Sequence, residues 1–375
     1  MTLTVCLRKG HHNVYDDLIA YPPTGVQYIV PPHVTQSSLK FVDSIKKQLF
    51  ATYVHILNEP HSLSIPIPQH CQLIHATSGI LIKNKFPWII DAEHVASFCG
   101  FETGRLEKVR AKVEKLLSSP YCQKIMPWTE AAAQSIRNGL DTRSFEKKIE
   151  VVYPAIKPIS IKKKKNEIPK LLFVSVRFFT KGGREVLEAF EDLQKKMDIE
   201  LTIVSNVPEP WKKKYNDPSI TYLPPTIPHE TLLKEHFAAA DVFVLPSYMD
   251  TFGMVFLEAM SIGLPIVSTN VFAIPEIVGK AGICINASNI SWYGKDYLFA
   301  WNSWKEFSLK TKTQEKPTIV KQLVASLENV LHNKNLQKTM IKHGTNSVTK
   351  GKFSIKERNK KLKRIYEETT TRSSN

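Results

Sequence analysis

The apolar positions along this chain fall into two successive rhythms, separated by a stretch rich in lysine and proline. In the first half, the short runs LTVCL, VQYIV, TYVHIL, CQLIHA, PWIID, QKIMP and IEVVYP predict strands. Between them, SSLKFVDSIKKQLF and GRLEKVRAKVEKLLSS have helical spacing, with Leu106, Val109, Val113 and Leu116–Leu117 along one face of the second. AIKPISIKKKKNEIPK then breaks the pattern and predicts a linker. After it the rhythm is cleaner: KLLFVSV, IELTIV, ITYL, DVFVLP and PIVST as strands, and GREVLEAFEDLQKK, ETLLKEHFAAA and GMVFLEAMSIG as helices. Strands alternating with helices in this way predict parallel βαβ units. Two such series predict an α/β protein of two Rossmann-like, doubly wound domains facing across a cleft. The boundaries read as 1–155 for the first domain, 156–170 for the linker, 171–350 for the second domain and 351–375 for a terminal helix and tail.

Composition narrows the picture. A chain of 375 residues exceeds one ordinary core, and 42% hydrophobic content is that of a globular protein. No apolar run reaches the roughly 18 residues that a membrane helix needs. The N-terminal MTLTVCLRKG lacks a basic segment followed by an apolar one, so no signal peptide is expected. Cys6, Cys71, Cys99, Cys122 and Cys284 are widely spaced, which predicts reduced thiols and a cytoplasmic protein.

The stretch PSYMDTFGMVFLEAM places an acid, a glycine and a second acid between two apolar strands. A strand emptying into a helix that begins near Gly253 or Met254 would leave the amides of Phe252, Gly253, Met254 and Val255 free. Such a terminus suits an anion or a sugar hydroxyl, and Gly253 permits close backbone approach. Asp250 and Glu258 could both face that ligand and accept paired hydrogen bonds from vicinal hydroxyls. The plainer alternative is that Asp250 caps the helix and Glu258 is a surface acid.

The segment PSYMDTFGMVFLEAMSIGLPIVSTNVFAIPEIV resembles the signature of the group 1 glycosyltransferases, of the glycosyltransferase family 4 type. The likeness extends upstream through FVSVRFFTKGGREVLEAFEDL and IPHETLLKEHFAAADVFVLPS, so that Leu171 to Val278 matches strongly. LIHATS, DAEH and EVVYPAI match more loosely in the first half. The resemblance implies the GT-B fold, with the acceptor at the first domain, the nucleotide sugar mainly at the second, and the terminal helix returning to the first. It gives Arg177 and Lys181 to the donor diphosphate, Glu258 to the ribose, Asp250 to the donor sugar, and Phe252 to Val255 to the turn that meets sugar and phosphate. Glutamate is commoner than aspartate at position 250, which puts the identity of the donor in doubt. His94, after the strand of PWIIDAEH, matches a histidine beside the donor sugar, with a satisfied structural histidine as the alternative. LRKGHHNVYDDL carries one glycine, Gly10, where the family often has a richer loop.

The implied activity is that of a retaining, metal-independent glycosyltransferase. It would move a hexose from a donor such as a UDP-hexose or GDP-mannose to a glycan, a protein-linked glycan or a lipid-linked acceptor. No separate cofactor is implied. No Asp-x-Asp occurs, and His70, Cys71, His75, His94 and Cys99 lack the compact pairing of a zinc site, so no metal is expected. A non-catalytic nucleotide-sugar binder, or an epimerase or phosphorylase on the same fold, is the alternative. The net charge of +16 is partly concentrated at Lys350–Arg364, which holds eight basic residues against Glu357 alone. That segment is expected to expose its lysines and arginines, either as solvated charge or as a peripheral contact with an anionic membrane face. No nucleic-acid-binding motif accompanies it.

Overall fold

A computed structural model describes residues 2–10, 14–31 and 58–372. The helix expected at SSLKFVDSIKKQLF and the strand expected at TYVHIL lie outside the described residues. The chain forms two compact units. One comprises Met1–Pro154, Asp296–Leu298 and Arg358–Asn375; the other comprises Ala155–Lys295 and Phe299–Glu357.

The first unit is built on β1 (Leu3–Arg8), β2 (Val26–Ile29), β4 (Leu73–Ala76), β6 (Trp88–Ala92) and β7 (Cys122–Pro127), with β3 (Ser62–Leu63) and β5 (Leu81–Ile82) as a separate short pair. The main sheet is parallel, in the order β2-β1-β4-β6-β7. β4 and β6 are buried along their whole length. A largely apolar run such as WIIDA is what a parallel strand covered on both faces requires, and its one acid, buried Asp91, accepts from Tyr15 Oη at 2.8 Å. The helix Arg105–Ser118 turns Val109, Val113 and Leu117 inward, the face expected from its spacing. The last helix, Ile355–Arg372, contributes Leu362, Ile365 and Tyr366 to the core. Tyr366 Oη lies 2.8 Å from His75 Nδ1 and 2.8 Å from Tyr28 Oη.

The second unit carries β8 (Lys170–Val174), β9 (Glu200–Val204), β10 (Ile220–Leu223), β11 (Val242–Leu245), β12 (Ile266–Thr269) and β13 (Gly282–Ile285). They form a parallel sheet in the order β10-β9-β8-β11-β12-β13. Strand order reverses direction between β8 and β11. In a doubly wound sheet the crevice at that reversal, beyond the carboxyl ends of the two strands, is the ligand position.

Several sequence expectations need correction. IEVVYP is not a strand; it runs extended beside β7, with Glu150 N donating to Ile125 O and Val152 N to Pro127 O at 2.9 Å each. ETLLKEHFAAA begins as one helical turn, His229–Thr231, and continues as a π-helix over Leu232–Phe237. The expected linker is packed onto the second unit. Ile159 N donates to Ser261 Oγ (2.6 Å), Lys164 N to Ala238 O (2.9 Å) and Asn166 Nδ2 to Asp241 Oδ2 (2.8 Å). Ile159 N and Lys164 N thus find acceptors on the helix Met254–Ile262 and on the approach to β11, while the side chains of Lys162, Lys164 and Lys165 stay exposed.

In the basic C-terminal helix one arginine departs from the expected exposure. Arg358 is buried and donates to Tyr21 O at 2.8 Å, and Arg364 pairs with Glu150 and Glu368. Lys356 and Lys360 are exposed. Among the described residues no helix is long and apolar enough to cross a membrane.

Candidate functional site at the ends of β8 and β11

Two loops leave the carboxyl ends of the strands at the reversal point. The loop after β8 carries Arg177 and Lys181 and enters the helix Gly183–Gln194; the loop after β11 carries Asp250 and enters the helix Met254–Ile262. The two touch at Gly182. Its φ is +76°, and a Cβ there would stand 2.4 Å from Pro246 O, so only glycine fits. Tyr248 N donates to Thr180 O at 3.0 Å, and Tyr248 O accepts from Trp292 N at 2.8 Å. Lys181 Nζ closes the junction, donating to Met249 O (2.5 Å) and Asp250 Oδ2 (2.7 Å). Both side chains of that pair are mostly shielded from solvent.

The helix after β11 starts where the sequence placed it. Gly253 is its N-cap at φ +77°, without a side-chain cap, so Asp250 does not cap the helix and is spent on Lys181 instead. A Cβ on Gly253 would lie 2.7 Å from the Phe256 ring and 3.3 Å from Asp250 Oδ2, which places the carboxylate beside the helix terminus. Phe256 N is the first amide of the helix to find an acceptor, Gly253 O at 3.0 Å, and the positive end of the helix dipole backs the amides of Met254 and Val255 before it. Met254 and Val255 are partly exposed, but the Phe252 side chain is buried, edge-on to Phe353 at 5.9 Å. Its ring is therefore out of a ligand's reach. Glu258, one turn on, accepts from His229 Nε2 at 2.9 Å. Arg177 is exposed, and its guanidinium carbon lies 4.9 Å from the centre of the Trp304 ring.

Beneath the junction is a buried ion pair. Lys316 Nζ donates to Glu185 Oε1 (2.7 Å), to Thr311 O (2.9 Å) and to Gln314 O (2.8 Å). Its charge lies 5.3 Å from the ring centre of Tyr248, the residue that joins the two loops. Burial raises the Glu185 carboxyl above its ordinary value, and the nearby Lys316 charge works against that rise.

His94 belongs to the first unit, and its partners there are those of the structural alternative. It caps the 3-10 helix Val95–Cys99. Nδ1 accepts from Ala96 N (3.0 Å), which leaves the proton on Nε2 to be donated to Tyr297 O (2.7 Å). Tyr297 sits in the Asp296–Leu298 segment with a φ of +63°, a backbone region uncommon outside glycine. Burial holds the imidazole down to about 4, hence neutral. Both ring nitrogens are engaged in this arrangement, so a sugar hydroxyl could reach the ring only by displacing Tyr297.

The arrangement therefore unites Lys181, Asp250 and the Gly253 terminus, with Arg177 on the same loop as Lys181 and Glu258 one helical turn beyond. His229, Trp304 and the Glu185–Lys316 pair were not singled out from the sequence. The density of aromatics from Trp292 to Phe307 was a visible signal for Trp304; nothing in sequence spacing ties His229 to Glu258. Among the described residues no three His, Cys, Asp or Glu side chains gather as a metal site.

Comparison with known proteins bears on the fold and on the second unit. Residues 168–293 match the family model described as glycosyl transferases group 1. Among curated proteins, O-antigen chain mannosyltransferase B of Escherichia coli is 39% identical over 74 residues, covering 19% of each chain. The matched stretch thus spans about a fifth of that relative's length. Among solved structures, a sucrose-phosphate synthase from Thermosynechococcus elongatus superposes with a TM-score of 0.60 at 15% identity, covering 98% of both chains. Anabaena Alr3699/HepE, solved with UDP and glucose, gives a TM-score of 0.60 at 11% identity over 98% of this chain and 100% of that one. The likeness to these neighbours shows the fold, GT-B with two Rossmann-like units, and residues 168–293 are similar to the group 1 glycosyl transferases.

Proposed function

We propose that the protein is a glycosyltransferase that takes a hexose from a nucleotide diphosphate sugar and passes it, with retention of configuration and without a metal, to a glycan or lipid-linked hydroxyl. The observation that carries the reading is the Lys181–Asp250 junction beside the Gly253 helix terminus, at the point where strand order reverses. A cation and free amides stabilise a departing diphosphate, and carboxylates hold sugar and ribose hydroxyls. The family match over this region and a neighbour solved with UDP and glucose support a nucleotide sugar as donor.

In the proposed step the acceptor oxygen bonds to the anomeric carbon on the face from which the diphosphate departs. The anomeric carbon–oxygen bond breaks, and the acceptor proton passes to the leaving phosphate oxygen. Arg177 and Lys181 take the growing negative charge, and Glu258 fixes the ribose. No protein nucleophile is required, because Asp250 is held by Lys181 and serves in binding.

The test is a panel of UDP-, GDP-, ADP- and dTDP-sugars, read first as thermal stabilisation and then as turnover after exhaustive chelation. A donor present at about 100 times its Kd should add about 2.7 kcal/mol of stability. Stabilisation without turnover on any acceptor would favour a non-catalytic binder, and activity restored only by Mn²⁺ or Mg²⁺ would overturn metal independence.

A further inference from the structure

Three cations stand on the loop and first helical turn after β8, and they are held in different ways. Lys181 spends its donors on Met249 O and Asp250. Arg184 is directed to Glu188 (2.8 Å), Gln314 O (3.4 Å) and Glu315 (3.6 Å). Arg177 has no carboxylate within ion-pair distance among the described residues; its guanidinium lies over the indole of Trp304 instead. That indole is itself fixed. Trp304 opens the helix Trp304–Thr313, whose start is capped by Ser303 Oγ accepting from Glu306 N at 3.1 Å. Its ring meets those of Trp292 (5.7 Å, 72°) and Phe307 (5.6 Å, 51°), both buried. Trp301 Nε1 donates to Ser291 O at 2.7 Å and ties the preceding loop down. Trp304 keeps 40% of its surface exposed, so one part of the ring is anchored and another is open to Arg177.

We propose that Trp304 is a positioning residue: it holds the Arg177 guanidinium ready for the diphosphate of the donor. The inference rests on the functional reading above and adds a residue outside the segment that matches the family, 168–293. The physical point is the difference between an aromatic face and an acid. A carboxylate would orient Arg177 but would also neutralise it and occupy the N–H donors that a phosphate needs. A π face attracts the cation while leaving its five N–H groups unspent. Arg177 is thereby ordered before the ligand arrives and keeps its full charge for it.

The test is calorimetric titration of the full chain with UDP, GDP, ADP and dTDP. The best binder is then followed in Trp304→Ala, Trp304→Leu, Trp304→Phe, Arg177→Ala and the Arg177→Ala/Trp304→Ala double variant. Trp304→Ala and Trp304→Leu should weaken binding about two- to fivefold, and Trp304→Phe should retain most of it. In the Arg177→Ala background, Trp304→Ala should add no further loss. Full affinity in Trp304→Leu would show that ring volume, not the π face, matters. Equal losses with and without Arg177 would reduce Trp304 to packing. Either result overturns the inference and leaves the functional reading standing. Unchanged binding in Arg177→Ala, or no binding of any of the four by the wild-type chain, would overturn both.

Discussion

Lys181 Nζ lies 2.7 Å from Asp250 Oδ2, although the two residues arrive from the ends of different strands, β8 and β11. The pair clamps the loops together at the place where Gly182 already presses against Pro246. It also means that a cation suited to phosphate and an acid suited to a sugar are held by each other before a ligand binds. The shorter aspartate keeps the carboxylate close to Lys181 and to the helix terminus.

Lys181→Ala should therefore cost transition-state stabilisation of roughly 2–4 kcal/mol, as for the loss of one oxyanion donor. The readout is kcat/KM with the best donor of the panel, alongside a melting curve to show that the fold is kept. Near-normal turnover would remove Lys181 from the site.

Glu258 and His229 should separate in size of effect. Glu258 is largely shielded, whereas His229 is mostly exposed. Glu258→Gln removes a charged acceptor and should weaken nucleoside diphosphate binding about tenfold. His229→Ala, loss of an exposed partner, should cost less than about 1 kcal/mol. Calorimetry on the two variants decides the order.

His94 makes stability depend on pH. Its folded value, about 4, lies below the ordinary 6.5, so in the window between them the unfolded chain binds a proton that the folded chain refuses. The stabilising contribution is complete above pH 6.5 and is lost as pH falls toward 4. The full loss amounts to roughly 3 kcal/mol. Denaturant titrations across that window should show the slope in the wild-type chain and a flatter one in His94→Gln.

Lys316→Met should destabilise the second unit by about 3–5 kcal/mol, because it strands a buried carboxylate. Replacing both partners, Glu185→Leu with Lys316→Met, should recover most of that loss. Urea denaturation provides the comparison. A double variant no more stable than Lys316→Met would mean that the pair contributes more than mutual neutralisation.

The C-terminal helix has a membrane prediction attached to it. With Arg358 and Arg364 engaged in the fold, the charge left for a membrane is carried by the lysines, with Lys356 and Lys360 the most open. Replacing Lys356, Lys360, Lys361 and Lys363 with Gln should abolish co-sedimentation with phosphatidylserine vesicles at low salt, at up to about 1 kcal/mol per residue. Indifference of the wild-type chain to those vesicles would make the charge plain solvation.

The sequence was most legible where the course of the backbone is set locally. An apolar run ending in a polar turn and Gly253 announced the strand, the terminus and the free amides, since each depends on local chemistry. The parallel strands were legible for a similar reason: VFVL is apolar throughout, and WIIDA in all but Asp91, because both their faces are covered. Side-chain partners were not. His94 reads as a loop histidine near a ligand, yet its proton is committed to Tyr297, more than two hundred residues on. Likewise the linker reads as a free connection, but its backbone is bonded to Ala238 and Ser261 through Lys164 N and Ile159 N. Those pairings are set by topology, which local periodicity does not encode.

Tyr366 completes the hydrogen-bonded core of the first unit from almost the end of the chain. During synthesis, then, the first unit is made early and finished last. After Pro154 leaves the ribosome, the whole second unit must be translated before Leu362, Ile365 and Tyr366 appear. At about 5–20 residues per second that interval is roughly 10–40 s. Throughout it, the face of the nascent sheet that these residues cover stays open to chaperones and to unwanted association. A stop codon just before Arg358 would leave that face bare for good.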